Sequence, residues 1–293
     1  MATLRELKGR IGSVASSEKI TGAMKMISSA KMHKAEGALR RLQPYRNTIE
    51  GIIGNLLQAD APFASPLAAT RQVQHLTIVA LGSDDGLCGA YNVNIAKFVE
   101  EQIERLRIEH GSSVAVTIVP VGTKMAKAVA RLSGSATIAP TDVVTSKSDG
   151  VAIKSFEGAL RNSFLNGDTD AVYIVYMNFR SAGRQVATCD RWLPMSPEAF
   201  TATGKHTSAK PYLFEPDAQH IFESVLPMYL LSVTQEIFVE NQASEQAARV
   251  MAMQAANDNA KKLLDQLRLE YNKLRQQSIT TELLDIVGGQ IRD

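Results

Sequence analysis

The sequence is poor in the residues that mark secreted, metal-binding and membrane-spanning proteins. Of its 293 residues two are cysteines, one is tryptophan, and 6% are aromatic. Cys88 and Cys189 lie far apart in the sequence and fit no metal or redox spacing, so we expect two reduced thiols. No apolar run reaches the roughly 18 residues of a membrane span, and the N-terminus has no apolar core of signal-peptide length. We therefore expect a chain that is kept in a cytoplasm-like compartment.

Patterns that carry catalysis or cofactor binding are also scarce. The five histidines are scattered and have no ligand spacing. Ser83–Gly89 follows an apolar run, where a phosphate-binding loop would lie, but it fits neither the dinucleotide pattern nor the P-loop pattern. We interpret this segment as a tight turn that also contacts another protein. We expect no cofactor, no metal and no catalysis by this chain alone.

Positive charge is concentrated at the start of the chain. The whole protein has a net charge of +2, whereas residues 1–46 contain ten lysines and arginines but three acids, a net charge of +7. Such a basic segment predicts an acidic partner, which is nucleic acid, anionic lipid or an acidic protein surface. Aromatic residues are not interleaved with these charges and the end of the chain is close to neutral, which favours a protein partner over nucleic acid.

Both ends of the chain have the apolar spacing of long packed helices. Residues 3–58 and 217–288 read as helices of about 80 and about 110 Å, and we expect Pro44 to kink the first one. Met24 and Ile27 continue the first stripe after a phase slip. The spacing is clearest at Leu4, Leu7, Ile11 and Val14, and at Ala260, Leu264, Leu267, Tyr271, Leu274 and Ser278.

These helices are too long to bury their stripes inside the middle of the chain, so we expect them to pack on each other. The middle region returns the chain, which makes the pair antiparallel. Small residues, including Gly22 and Ala30 in the first helix and Ala247 in the last, predict a thin rod because they let helix axes approach closely.

The middle of the chain alternates strand-like and helix-like segments, which predicts βαβ units and a mainly parallel sheet in a Rossmann-like domain. We therefore expect an α/β protein with a first shaft helix (1–58), a central domain and foot (59–216) and a last shaft helix (217–293). The predicted strands are Leu76–Leu81, Val114–Val121, Ala171–Met177 and an added strand Arg184–Leu193. The predicted helices are Val93–His110, Thr123–Leu132 and Val151–Asn166.

Short motifs on both helices and in the first turn of the middle resemble the gamma subunit of F-type ATP synthases. Asp85 stands where that family usually has arginine, and Ala90-Tyr91 replace its usual Gly-Leu, which puts in doubt any salt bridge carried over for that loop. The motifs are Lys19–Met26, Ala30–Met32, Ser83–Gly89, Glu240–Asn241, Ser244–Arg249, Ala252–Met253, Asp258–Ala260, Tyr271–Asn272, Arg275–Gln276, Ile279–Thr280, Glu282–Leu283 and Ile286–Val287.

The resemblance implies a rotor shaft, present in one copy in the bore of a ring of three alpha and three beta subunits. Proton flow would turn a membrane c-ring, and the shaft would force the beta sites through different affinities, so that ATP is made on beta. The implied place is the cytoplasmic face of a bacterial plasma membrane, as a peripheral protein without a signal peptide or transmembrane segment.

The resemblance also implies where the shaft meets its partners. Met24 and Arg249 would lie side by side at the acidic lever loop of beta, with Lys19 and Lys25 on the same basic edge. Other contacts with beta would be made by Arg275, Gln276, Thr280 and Glu282. The tip that turns in an apolar sleeve would be Leu283, Ile286 and Val287, and the foot that meets the membrane ring and the epsilon subunit would include Tyr212, Phe214 and Glu215.

Two other functions fit parts of the pattern. The loop after the first strand leaves open a nucleotide-dependent enzyme with a coiled-coil arm. The charge of residues 1–46 leaves open a basic coiled-coil adaptor that binds RNA.

Overall fold

A computed structural model describes residues 3–57, 64–196 and 215–290, with side chains in the last range up to Leu284. Two long helices are the first and last elements of the chain, α1 (Leu4–Leu57) and α5 (Ala218–Gln290). Strands and shorter helices lie in the region between them in the sequence. That region contains helices α2 (Tyr91–His110), α3 (Thr123–Val129) and α4 (Gly150–Asn166), and strands β1 (His75–Leu81), β2 (Ala115–Val121), β3 (Thr137–Ile138), β4 (Ala171–Ser181) and β5 (Arg184–Leu193). The predicted α/β class is confirmed.

The five strands form one sheet in the order β3-β2-β1-β4-β5. The first four strands in that order are parallel to one another, and β5 is antiparallel to β4. The mainly parallel sheet and the added strand are therefore confirmed. Sequence reasoning missed β3, because a strand of two residues gives no apolar run.

The chain divides into two compact units, and each boundary falls inside a long helix. The helical unit contains Met1–Ser29 and Arg249–Asp293, and the α/β unit contains Ala30–Ala248. Helix α1 ends at Leu57 and α5 begins at Ala218. The domain boundaries predicted from the sequence, after residues 58 and 216, lie near these helix ends and stay a prediction.

In the helical unit, the first turns of α1 lie against the later part of α5. The Asn257 side-chain Nδ2 donates to the Glu18 carbonyl oxygen at 2.6 Å and lies 3.2 Å from the Thr21 hydroxyl. Leu7 is 2% exposed, and the residues of α5 that are also buried in this unit include Leu264 and Leu267. Thr21 of α1 lies near Asn257 of α5, whereas the earlier α1 residue Leu7 is buried together with later residues of α5. The two helices therefore run antiparallel, as predicted.

In the α/β unit, helices cover both faces of the sheet. Helices α2 and α3 cover one face, where the buried residues include Ile95 and Met125. The other face is covered by α4, the end of α1 and the start of α5, where Phe156 and Phe238 meet edge to face with ring centres 6.2 Å apart. The sheet is buried on both faces, as expected of parallel strands with continuous apolar runs.

Helices α1 and α5 are also antiparallel within the α/β unit. The Arg46 guanidinium donates to Glu236 at 2.7 Å and to Glu50 at 2.8 Å, and the Tyr229 hydroxyl lies 3.4 Å from Glu50. Later residues of α1 therefore face earlier residues of α5. Helix α1 continues through Pro44, in agreement with the apolar spacing that resumes beyond it.

Candidate functional site

Large apolar side chains are exposed on both helices of the helical unit. On α1, Ile20 is 59%, Met26 68% and Ile27 57% exposed. On α5, the exposed apolar residues of this unit are Met251, Leu263, Leu269, Ile279, Leu283 and Leu284. Exposed large apolar side chains that gather on one part of a protein mark a place where another protein binds. The helical unit therefore offers a partner surface along the two helices that form it.

Ile27 corrects the sequence analysis, which placed it in the packing stripe of the first helix. A straight helix with 3.6 residues per turn drifts out of a repeat of 3.5 residues, so a stripe turns away from its partner after a phase slip. Ile27 and its neighbour Met26 both lie on the exposed surface as a result. Sequence spacing gave no signal for this outward apolar surface.

The four residues predicted to meet the lever loop all belong to the helical unit. Lys19 is exposed, and Met24 and Lys25 are half-buried. Arg249 is only 5% exposed, so it is a buried cation and not an ordinary surface charge. The side-by-side placement of Met24 and Arg249 stays a prediction.

The other predicted contacts with beta are on the exposed surface of α5. Arg275, Gln276 and Glu282 are all exposed. Thr280 is exposed too, and its hydroxyl donates to the Gln276 carbonyl oxygen of its own helix at 2.9 Å. This bond fixes the Thr280 hydroxyl on the helix. It uses the backbone oxygen of Gln276, so the side-chain amide of Gln276 stays available for a partner.

The predicted tip and foot are described only in part. Leu283 is 57% exposed at the tip, whereas Ile286 and Val287 lie beyond the side chains that the structure describes. In the foot, Glu215 is exposed, and Tyr212 and Phe214 lie outside the described residues. The roles assigned to these residues stay predictions.

The loop between β1 and α2 is held together by the Asp84 carboxylate. Its Oδ1 accepts bonds from the Thr123 backbone N–H and hydroxyl at 3.0 and 3.1 Å, and its Oδ2 accepts bonds from the Ser146 N–H and hydroxyl at 2.9 and 2.8 Å. Burial alone would raise the pKa of Asp84, but these four donors outweigh it and lower the pKa below its ordinary value.

This network bears on the nucleotide-binding interpretation of the loop. The Asp84 carboxylate already binds the backbone N–H groups of Thr123 and Ser146, so these donors are not open to a phosphate beside the loop. A fixed negative charge at this position also repels phosphate. The loop therefore has the chemistry of a structural turn.

The next residues of the loop point outward. Asp85 forms an ion pair with Lys147 at 2.7 Å, and both side chains are more than half exposed, so the pair adds little stability. The loop therefore has a salt bridge of its own although Asp85 departs from the family's arginine. Leu87 is 60% exposed with a φ of 63°, an unusual backbone conformation for a leucine. The sequence singled out Leu87 only as part of the motif Ser83–Gly89 and gave no sign of its exposure.

No metal or redox centre is found within the described ranges. Among the residues that the structure describes, no three histidine, cysteine or acidic side chains gather as a metal site. Cys88 is buried and Cys189 half-buried, and both are free thiols.

Comparison with known proteins assigns the chain to a family over nearly its whole length. The family model described as ATP synthase matches residues 3–290. The ATP synthase gamma chain of Bacteroides thetaiotaomicron is 36% identical and covers 100% of both chains. That of Bacteroides fragilis strain ATCC 25285 is 39% identical over 99% of this chain and 100% of its own.

Solved structures share the fold at lower identity. A chain of the Euglena gracilis mitochondrial ATP synthase rotor is 20% identical, with a TM-score of 0.61, and covers 94% of this chain and 98% of its own. A chain from the Tetrahymena thermophila mitochondrial ATP synthase central stalk and c-ring is 22% identical, with a TM-score of 0.55, and covers 81% of this chain and 99% of its own.

Proposed function

The chain belongs to the ATP synthase family, alongside its gamma chains, and we propose that it is the central rotor shaft of an F-type ATP synthase. In this role it couples proton-driven rotation of a membrane ring to conformational cycling of the catalytic sites on the beta subunits. It is a non-catalytic subunit, and ATP forms on its partners.

One observation carries the proposal beyond family membership. The helical unit exposes large apolar side chains on both of its helices, with lysines 19 and 25 next to those on α1. A surface of this kind marks a site where a partner binds. A bore lined by apolar residues and acidic loops would cover it and would still permit rotation, because apolar contact is not directional.

The residues proposed to contact beta come from the resemblance to gamma subunits. We propose that Lys19, Met24, Lys25 and Arg249 form the lower contact, which meets an acidic lever loop. The upper contact comprises Arg275, Gln276, Thr280 and Glu282, and the tip comprises Leu283, Ile286 and Val287. Because Arg249 is buried, it acts by holding positive charge close to the surface and not as a free arm.

The foot and the cellular place complete the proposal. Tyr212, Phe214 and Glu215 would meet the c-ring and the epsilon subunit. None of the helices in the described ranges is long and apolar enough to cross a membrane. We propose a peripheral position on the cytoplasmic face of a bacterial inner membrane, with one copy of the chain per complex.

Co-purification tests the proposal directly. The tagged full chain is expressed with the alpha and beta chains of the same organism and purified under native conditions. We expect alpha and beta to be recovered in equal amounts, and the absorbance spectrum to be free of nucleic acid. Recovery of RNA without alpha and beta would favour the adaptor and reject the shaft.

Titration calorimetry separates the shaft from the nucleotide-dependent enzyme. The full chain is titrated with ATP and, separately, with NAD. We expect no binding heat, because the Asp84 carboxylate fixes a negative charge in the loop after β1 and binds the N–H groups of Thr123 and Ser146 beside it. Saturable binding of either nucleotide would support the enzyme.

A further inference from the structure

Helix α5 has polar residues on the face that it presents to the core of the α/β unit. Thr234 is 0%, Asn241 1% and Ser244 0% exposed. Their spacings of seven and three residues place them on one face of the helix, in line with the buried apolar residues Ile237 and Phe238. A helix that only needs to be buried would have apolar residues at these positions.

Asn241 is bonded at the carboxyl end of β1. Its Nδ2 donates to the Gly82 carbonyl oxygen at 2.9 Å. The Tyr91 hydroxyl, at the start of α2, lies 2.7 Å from the Asn241 Oδ1 and 3.0 Å from the Asn241 backbone oxygen. Both bonds are buried, so the amide of Asn241 is held by a strand end on one side and by a helix on the other.

Ser244 and Thr234 attach the same helix to two further strands. The Ser244 hydroxyl donates to the Met177 carbonyl oxygen of β4 at 2.8 Å. The Trp192 indole N–H of β5 donates to the Thr234 hydroxyl at 3.1 Å. Together with the bonds of Asn241, these contacts tie three turns of α5 to β1, β4 and β5.

Hydrogen bonds and apolar packing resist different motions. Apolar packing opposes separation of two surfaces but is not directional, so it gives little resistance to one surface turning over the other. A hydrogen bond weakens steeply when its angle or distance changes. Buried polar groups add little net stability compared with apolar ones, and their best-attested use is to fix register.

We propose that Thr234, Asn241 and Ser244, with Tyr91 and Trp192, form a polar lock that holds α5 against twisting relative to the sheet. These are positioning residues that hold this part of α5 to the sheet within the α/β unit. The inference rests on the proposed function, because only a rotor places a sustained twisting load on this contact.

The test measures torsional stiffness in the assembled complex. The alpha and beta ring is fixed to a surface, a rod is attached to the α/β unit, and its angular fluctuations are recorded without ATP. The rod is attached at Ile108→Cys, since Ile108 is 87% exposed. The native thiols do not compete, because Cys88 is buried and burial raises the pKa of Cys189 to about 11.

The test variant is Tyr91→Phe with Ser244→Ala, which deletes two hydroxyls and their donations to Asn241 and Met177. The matched control is Tyr45→Phe with Ser155→Ala, which deletes the same atoms at exposed positions. We expect about a two-fold rise in the angular variance of the test variant, with no change in the control, since variance is inverse to stiffness and half of the donors are lost. The rate of ATP hydrolysis at low load should be unchanged.

Each outcome has one reading. An unchanged variance in the assembled test variant would overturn the polar lock while leaving the shaft intact. Failure of the unmodified chain to assemble with alpha and beta would instead reject the proposed function. If the double variant does not assemble, Ser244→Ala alone is measured against Ser155→Ala, and equal variances in that pair would also overturn the lock.

Discussion

Gly82 shows how a single residue without a side chain can be essential to the fold. It follows β1, and its carbonyl oxygen accepts the Asn241 bond while its N–H donates to Val121 at 3.0 Å. A Cβ at this position would lie 2.6 Å from the Asn92 Oδ1 and still closer to Met125. The residue must be glycine because the surrounding atoms leave no space for a methyl group.

Gly82→Ala is therefore expected to destabilise the chain. Overpacking of this kind costs about 1–3 kcal/mol, and thermal denaturation of the full chain measures it. The control is Gly51→Ala, where nothing lies within 4 Å of the added Cβ in helix α1. That change should raise the stability by about 0.5–1 kcal/mol, because alanine favours the helix. Equal effects of the two substitutions would contradict the close approach at Gly82.

Glu240 is a half-buried carboxyl that keeps its proton up to near-neutral pH. Burial and the neighbouring Glu236 carboxylate raise its pKa to about 7, although Arg180 and Arg46 act in the opposite direction and Asp190 adds to the rise. The Asn178 Nδ2 donates to its Oε2 at 2.7 Å. The folded chain thus binds this proton more tightly than the unfolded chain, where the pKa is 4.5.

This shift predicts a pH dependence of stability. The contribution of Glu240 is fully present below the unfolded pKa and is lost as the pH rises through about 7. The melting temperature of the full chain should fall between about pH 5 and about pH 8, and Glu240→Gln should make that fall smaller. Glu104→Gln, which changes an exposed carboxylate on α2, should leave the fall unchanged. The same fall in Glu240→Gln as in the unmodified chain would assign the effect to another group.

At the scale of elements, the helical unit depends on a few side chains. Leu7 is 2% exposed although it lies in the first turn of α1, and no sheet supports it in this unit. Its burial comes from α5, whose own buried residues here include Leu264 and Leu267. Two helices without a third layer bury little area for each residue, so each buried leucine counts for much of the local stability.

Leu7→Ala should open the start of α1 without unfolding the α/β unit. A loss of about 2 kcal/mol corresponds to roughly a 30-fold rise in local opening. Hydrogen exchange of the first two turns of α1 measures this opening. Ile20→Ala removes a similar side chain that is 59% exposed, and it should leave exchange unchanged in the isolated chain. Faster exchange across β1 and β4 as well would show that the two units do not open separately.

At the scale of the whole molecule, function depends on how the shaft's charge meets its partners. Met24 is half-buried in a helical unit that also contains the buried cation Arg249. Met24→Lys would add a second cation to this surface and strengthen its attraction to an acidic loop of beta. The altered shaft should assemble normally, yet rotate with weaker coupling to synthesis.

The measurement is proton-driven ATP synthesis by the purified complex in vesicles, with ATP hydrolysis as the second reading. We expect synthesis to fall more than hydrolysis, because synthesis depends on coupling to proton flow and hydrolysis on beta does not. Met228→Lys is the matched control, since it adds the same cation at a methionine of the α/β unit that is 49% exposed. Normal synthesis by Met24→Lys would show that this contact with beta does not carry the coupling.

Much of the fold could be read from the sequence because its signals are local. Apolar runs such as Ala171–Met177 marked strands, and stripes with heptad spacing marked α1 and α5. Thr137–Ile138 was too short to give such a signal. In the candidate site, motifs at Lys19–Met26 and Ser244–Arg249 indicated the family, but not which side chains are buried.

The sequence by itself determined the class, the two long helices, the basic start of the chain and the family. Only the tertiary structure decided that Arg249 is buried and Ile27 exposed, that Asp84 fills its loop with hydrogen bonds, and that Asn241 and Ser244 are tied to strand ends. The reason is physical. Periodicity and charge are properties of neighbouring residues, whereas burial and hydrogen bonding depend on residues that are distant in the sequence. The bonding partner of Asn241, for example, lies more than a hundred positions away.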